Sequence, residues 1–143
     1  MPLKTLMNMI RVAIADDHNR VRQAWVYILS RNPRIQIVAE CSNGEEAIRA
    51  VKEHAPDVIL MDINMEPMNG IQAAEQIASF CPSTKVIGMS IHSDLSYVNR
   101  MLKVGAAGYV TKNSPSQEMV TAIEHACRGE QYLCSEIRKV VEF

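Results

Sequence analysis

The stretch 56-PDVILMDINMEPMNG-70 decides how the rest of the chain is read. Val58, Ile59, Leu60 and Met61 make a short apolar run, the pattern of a strand buried on both faces in a parallel sheet. The run stops at Asp62. Burying a lone carboxylate is costly, so Asp62 is expected to face water, a metal ion or a reaction partner. Glu66, Pro67, Asn69 and Gly70 then mark a turn before the next helix.

Around that stretch lie 143 residues that are 48% hydrophobic, enough for one domain with a full core. A formal net charge of -1 lacks the basic surplus with which a domain grips nucleic acid. No apolar run reaches membrane-span length, and the N-terminus has no signal-peptide core, so no membrane partner is expected. Cys41, Cys81, Cys127 and Cys134 are scattered without a C-x-x-C pair. They read as reduced thiols of a cytoplasmic protein. Residues 1–8 read as a leader or added segment.

Strands and helices alternate along the chain. Ile10 to Ala15 is a strand that runs into Asp16-Asp17. Val21, Ala24, Trp25, Ile28 and Leu29 then fall on one helical stripe. Ile35 to Ala39 is the next strand. Ser42 and Asn43 are candidate caps for a helix that buries Ala47, Ile48 and Val51 and ends near His54. The Asp62 strand follows, then a helix over Ile71 to Phe80. Lys85 to Met89 is a strand ending on Ser90. Leu95, Val98, Met101 and Leu102 form another stripe, closed by Gly105, and Gly108 to Thr111 is a strand ending on Lys112. Ser114-Pro115-Ser116-Gln117 reads as a helix start with a Ser cap and Pro at the first helical position. The helix it opens is expected to bury Val120, Ile123, Ala126 and Cys127. Ser135 to Glu142 begins one further helix.

This alternation predicts an α/β fold, a doubly wound five-stranded parallel sheet. Ligands of such sheets bind outside the carboxyl ends of the strands. Asp16, Asp17, Asp62, Ser90 and Lys112 all fall at that end. Three carboxylates against one lysine leave a surplus that one divalent cation cancels. Oxygen donors alone suit Mg²⁺. A carboxylate nucleophile beside a metal and a lysine suits phosphoryl transfer. Asp62 is ionised at neutral pH and needs no general base to attack phosphorus. Lys112 would neutralise the phosphoryl oxygens and Ser90 would donate a hydrogen bond to them. Taken singly, Asp62 also suits a turn cap and Lys112 an exposed surface. His18 and His92 read as loop residues, and Met61, Met65, Met68 and Met89 as core or loop filling.

The pair DD after the first strand, the D of LMDINM, the S ending VIGMS and the K of GYVTK together resemble the receiver domain of two-component response regulators. The resemblance covers residues 9–130. It implies the strand order 2-1-3-4-5, with Asp62 as phosphoacceptor. Mg²⁺ would be held by Asp16, Asp17, Asp62 and the backbone carbonyl of Asn64. Ser90 would be the switch hydroxyl and Lys112 the phosphate-sensing lysine. Tyr109 matches the aromatic switch that turns inward when that hydroxyl engages phosphate. A sensor histidine kinase or phosphotransfer protein is the implied donor. The segments MSIHSDLSYVNRMLKVGAAGYVTKNS and GEQYLCSEI are similar to the NarL/FixJ group. In that group a linker, here expected to start within 131–143, leads to a LuxR-type helix-turn-helix domain. DNA binding through that further domain and homodimerisation on phosphorylation are the implied output. One departure stands out: the family's Pro four residues after the phosphoacceptor is Glu66 here, with Pro67 next.

Three rival readings share parts of this pattern. A haloacid-dehalogenase-like phosphatase needs a second carboxylate where Asn64 stands, and a cap domain. A flavodoxin-like cofactor binder needs a phosphate-cradling loop where Asp16-Asp17-His18 stands. A receiver-like docking module that is never phosphorylated differs from the main reading only in chemistry.

Overall fold

A computed structural model describes residues 9–91 and 94–141. The expected leader (1–8), His92 and the last residue of the expected final helix, Glu142, lie outside the described residues. The elements are β1 (Ile10–Ala15), α1 (Asn19–Ser30), β2 (Ile35–Cys41), α2 (Gly44–His54), β3 (Val58–Asp62) and α3 (Gly70–Phe80), then β4 (Lys85–Ser90), α4 (Leu95–Lys103), β5 (Gly108–Thr111), α5 (Ser116–Cys127), β6 (Tyr132–Leu133) and α6 (Ser135–Val141).

All strand pairs are parallel, in the order β2-β1-β3-β4-β5-β6. The expected order 2-1-3-4-5 is present, and the expected count of five becomes six. Strand β6 forms because the outer edge of β5 carries backbone groups that need partners. The Tyr132 amide donates to Ala107 O at 3.1 Å and the Cys134 amide to Tyr109 O at 3.1 Å. Beyond that edge Cys134 and Ile137 are fully buried. The Glu118 carboxylate on α5 accepts from the Tyr132 hydroxyl and the Ser135 amide, each at 2.9 Å. The stretch expected to open a linker thus contributes β6 and α6 through Val141.

Central β3 is buried along its whole length, as a strand covered by helices on both faces must be. The helices that cover it start where side chains satisfy their first amides. Asn43 caps α2 by accepting from the Glu46 amide at 2.8 Å. Asn69 and Gln72 close a reciprocal capping box on α3, a device worth about 1 kcal/mol. The expected cap at Ser114 does not form. Its hydroxyl lies 3.0 Å from Thr111 Oγ1, and α5 begins after Pro115, whose carbonyl accepts from the Glu118 amide at 2.9 Å. Two stripes are also narrower or turned. On α1, Trp25 and Leu29 are buried while Ala24 and Ile28 are exposed. On α5, Met119 and Ala122 are buried and Cys127 is exposed. Among the described residues, no helix is long and apolar enough to cross a membrane.

Candidate functional site

The register of β1, β3, β4 and β5 brings their carboxyl ends side by side, with Ala15 beside Met61, Asp62 beside Met89 and Ser90 beside Thr111. Asp16 and Asp62 are each fully buried. Of the three expected surroundings of Asp62, namely water, a metal ion or a reaction partner, full burial removes the first, and its charge is met inside the protein by Lys112. Lys112 Nζ lies 2.8 Å from Asp16 Oδ2 and 3.1 Å from Asp62 Oδ2. Both are ion pairs in which one ammonium is shared between two buried carboxylates. The other oxygen of each acid is well served. The His18 amide donates to Asp16 Oδ1 at 2.8 Å, and the Asn64 amide to Asp62 Oδ1 at 3.0 Å. Asp17 is solvent-facing.

Burial pushes the Asp62 carboxyl up from 3.8 to about 6; the Asn64 amide and the Lys112 ammonium pull it down, and Asp16 raises it further. The folded chain then holds this proton more tightly than the unfolded chain. Stability is lost as pH rises through that window. In a chelator, Asp62→Asn is expected to be more stable than the wild type at pH 7, by on the order of 1–3 kcal/mol, and so to unfold at a higher temperature. The gap should close on acidification below 4, where the wild-type acid is neutral as well. Melting curves that stay parallel from pH 4 to 7 would sink this account.

The Tyr109 ring is fully buried, and its hydroxyl donates to Ser90 Oγ at 2.8 Å. Burial, chiefly, pushes the phenol up to about 12, so it remains a donor at all working pH. The backbone holds the same corner together, since the Lys112 amide donates to Ser90 O at 2.7 Å. The sequence led us to expect the tyrosine to turn inward on contact with phosphate. The structure places it inward, against Ser90.

Asp16, Asp17, Asp62, Ser90, Tyr109 and Lys112 converge at this end of the sheet, and Asn64, singled out for its backbone carbonyl, adjoins them through the amide it donates to Asp62. Two further side chains contribute: His18, read from the sequence only as a loop residue, and Arg22, which was not singled out. His18 Nδ1 lies 3.1 Å from Asp17 Oδ1, 3.3 Å from Asp16 Oδ1 and 3.5 Å from Lys112 Nζ. Arg22 Nη1 donates to Asp16 O at 2.7 Å and fixes the start of the β1–α1 loop. Both follow the acidic pair closely, His18 as the residue before α1 and Arg22 on its first turn, and that nearness is the local signal in the sequence. Glu66 is exposed. The donor atoms of Asp16, Asp17, His18 and Asp62 lie within 4.8 Å of one another. Two buried carboxylates that share a single ammonium, beside a third carboxylate, leave a negative surplus and oxygen donors that fit a hard divalent cation.

Residues 12–124 match the response regulator receiver domain family. The transcriptional regulatory protein DegU of Brevibacillus brevis is 39% identical over 126 residues, covering 88% of this chain and 53% of DegU. The oxygen regulatory protein NreC of Staphylococcus epidermidis is 37% identical over 125 residues, covering 87% of this chain and 57% of NreC. The chain therefore spans little more than half the length of these relatives. Among solved structures, a LuxR-family two-component response regulator from Aurantimonas sp. SI85-9A1 superposes with a TM-score of 0.87 at 30% identity, covering 92% of this chain and 94% of that one. The receiver domain of NarL from Mycobacterium tuberculosis gives 0.83 at 34% identity, covering 86% and 99%. With the acidic cluster, the lysine and the hydroxyl at the ends of neighbouring strands, these likenesses make the chain a member of the response regulator receiver domain family, of the NarL/FixJ type.

Proposed function

We propose that the chain is a phosphorylation-controlled switch in which Asp62 accepts a phosphoryl group from a sensor histidine kinase or phosphotransfer protein. The observation that carries this reading is the meeting of two fully buried carboxylates, Asp16 and Asp62, on the single ammonium of Lys112. Such a cluster is a poor structural device, since desolvating charges costs several kcal/mol per ion. It suits a site that must neutralise a transferred phosphoryl group.

In the transfer, an Asp62 oxygen forms the bond to phosphorus while the bond from phosphorus to the donor histidine nitrogen breaks. The electron pair stays on that nitrogen, which takes up a proton. The Asn64 amide holds the other Asp62 oxygen. The Lys112 ammonium balances charge on the phosphoryl oxygens, and Ser90 Oγ gives them one hydrogen bond. Asp16, Asp17, Asp62 and the Asn64 carbonyl are the residues that would hold Mg²⁺, which supplies charge neutralisation on the transferred oxygens when bound. Ser90 and Tyr109 then couple the site to β5 and α4. The phosphoryl group acts by shifting a population toward the arrangement in which Tyr109 sits inward against Ser90. Hydrolysis of the aspartyl phosphate by the same residues resets the switch.

In the whole cytoplasmic protein, the output is homodimerisation that controls a C-terminal DNA-binding domain. The names of the relatives, a transcriptional regulator and a LuxR-family regulator, support this part. The test is intact mass after incubation with acetyl phosphate and Mg²⁺. The wild type should gain one phosphoryl group, Asp62→Asn none, and a chelator should abolish the gain. To guard against fast hydrolysis, beryllofluoride is added in parallel and Trp25 fluorescence followed. Silence in both assays would overturn the switch in favour of a docking module.

A further inference from the structure

Gly88 stands in the interior of β4, where a glycine weakens a strand and usually marks a close approach. Its register partner on β5 is Tyr109. Neighbouring residues in register share a face of the sheet, and so do residues two apart on one strand. Gly88, Ser90 and Tyr109 therefore belong to one face. The Tyr109 ring leans along β4 to reach Ser90 Oγ, and its path runs directly over Gly88. A Cβ at position 88 would stand 2.8 Å from Tyr109 Cδ2, 3.0 Å from Tyr109 Cε2 and 3.1 Å from Met101 Cε. The methionine methyl ends a flexible chain and can yield. The ring edge is rigid and can only leave as a whole.

We infer that Gly88 is the positioning residue that admits Tyr109 to its inward seat against Ser90. The inference rests on the switch reading above and adds to it a second strand position on which the switch depends. The missing side chain at 88 is the volume that the inward ring occupies. With alanine there, the ring rotates about χ1 away from β4 and its bond to Ser90 is broken. The site end of the sheet keeps its acids and lysine, while the coupling residue is held outward.

The test follows the ring itself, without phosphorylation. The chain is labelled with ring-carbon-13 tyrosine, and the Tyr109 signal is identified by its loss in Tyr109→Phe. A soluble gadolinium chelate then reports exposure, with Tyr27, 65% exposed, as the internal reference for an open ring. In the wild type, Tyr109 should be protected. In Gly88→Ala, its relaxation enhancement should rise several-fold towards that of Tyr27. A folded Gly88→Ala with Tyr109 still protected overturns the inference. If Gly88→Ala fails to fold, Gly88→Ala/Tyr109→Ala must fold, because the clash leaves with the ring; failure of both overturns the inference. Phosphoryl uptake is read by mass on the wild-type sample. No uptake there, together with a silent beryllofluoride response, would fail the switch reading, while the ring data would still decide the role of Gly88.

Discussion

Gly70→Ala is expected to destabilise the chain by about 4 kcal/mol or more, the top of the range for single substitutions. A Cβ at Gly70 would collide with the carbonyl oxygen of Asp62 and stand 2.8 Å from its carbonyl carbon and 2.8 Å from Ile63 Cα. Each of these neighbours is backbone, so no rotamer change relieves the contact. The Gly70 amide also donates to Ile63 O at 3.2 Å. That bond brings the first turn of α3 back onto the end of β3 and closes the loop that carries Asn64. Making room for a methyl group means pushing apart the strand that ends in Asp62 and the helix that follows it. At this chain length, the loss corresponds to a fall in melting temperature of roughly 12–20 °C. Gly129→Ala is the control. Its φ of 78° strains an alanine, yet nothing lies within 4 Å of the added carbon, so its cost should stay near 1 kcal/mol. Equal losses at the two positions would show that the contact with Asp62 does not set the cost.

That loop also shows what could be read from residues alone. The strand ends were legible because each apolar run breaks off abruptly on a polar residue, and a parallel sheet puts all such breaks at one edge. The helix cap at Asn43 was legible because capping is local. The complete burial of Asp62 was not, because its counter-charge comes from Lys112, fifty residues later in sequence and adjacent only once β4 and β5 pair. Arg22 escaped, and His18 was read only as a loop residue, for the same reason: an imidazole in a loop acquires its meaning from the three acids gathered around it. Strand β6, two residues long, shows no period at all. It exists because Gly108 lets the backbone of Tyr132 come close, a Cβ there standing 2.5 Å from Tyr132 O. The outward turn of Ile28 and Cys127 has a related cause. A helix lying on a sheet buries a narrow stripe, and a wide apolar stripe leaves its margins in solvent.

Lys112→Met is expected to lower stability in a chelator by about 3 kcal/mol, or roughly 10 °C in melting temperature. The substitution keeps most of the buried stem of the side chain and removes its charge. Asp16 and Asp62 then remain fully buried with no ammonium between them. Breaking a buried ion pair on one side costs more than the pair contributes, since the remaining charge is uncompensated. Protonation of Asp62, already raised by burial, limits the loss. Added Mg²⁺ should act in the opposite direction. The lysine occupies the same two oxygens that face a cation, so its removal should tighten Mg²⁺ binding by about tenfold, or about 1.4 kcal/mol. Mg²⁺ should therefore raise the melting temperature of the variant more than that of the wild type, by the usual dependence on ligand concentration. On the switch proposed above, phosphoryl uptake from acetyl phosphate should fall in the same variant, because the transferred oxygens would lose the ammonium and keep only the metal. The divergence is the decisive result: a site whose lysine only balances charge in the resting state would gain metal affinity and keep its rate. A site whose lysine also receives the phosphoryl group gains the first and loses the second. An unchanged melting temperature in chelator would show that the contacts of 2.8 and 3.1 Å carry no net charge compensation, and the argument from buried carboxylates would fall with them.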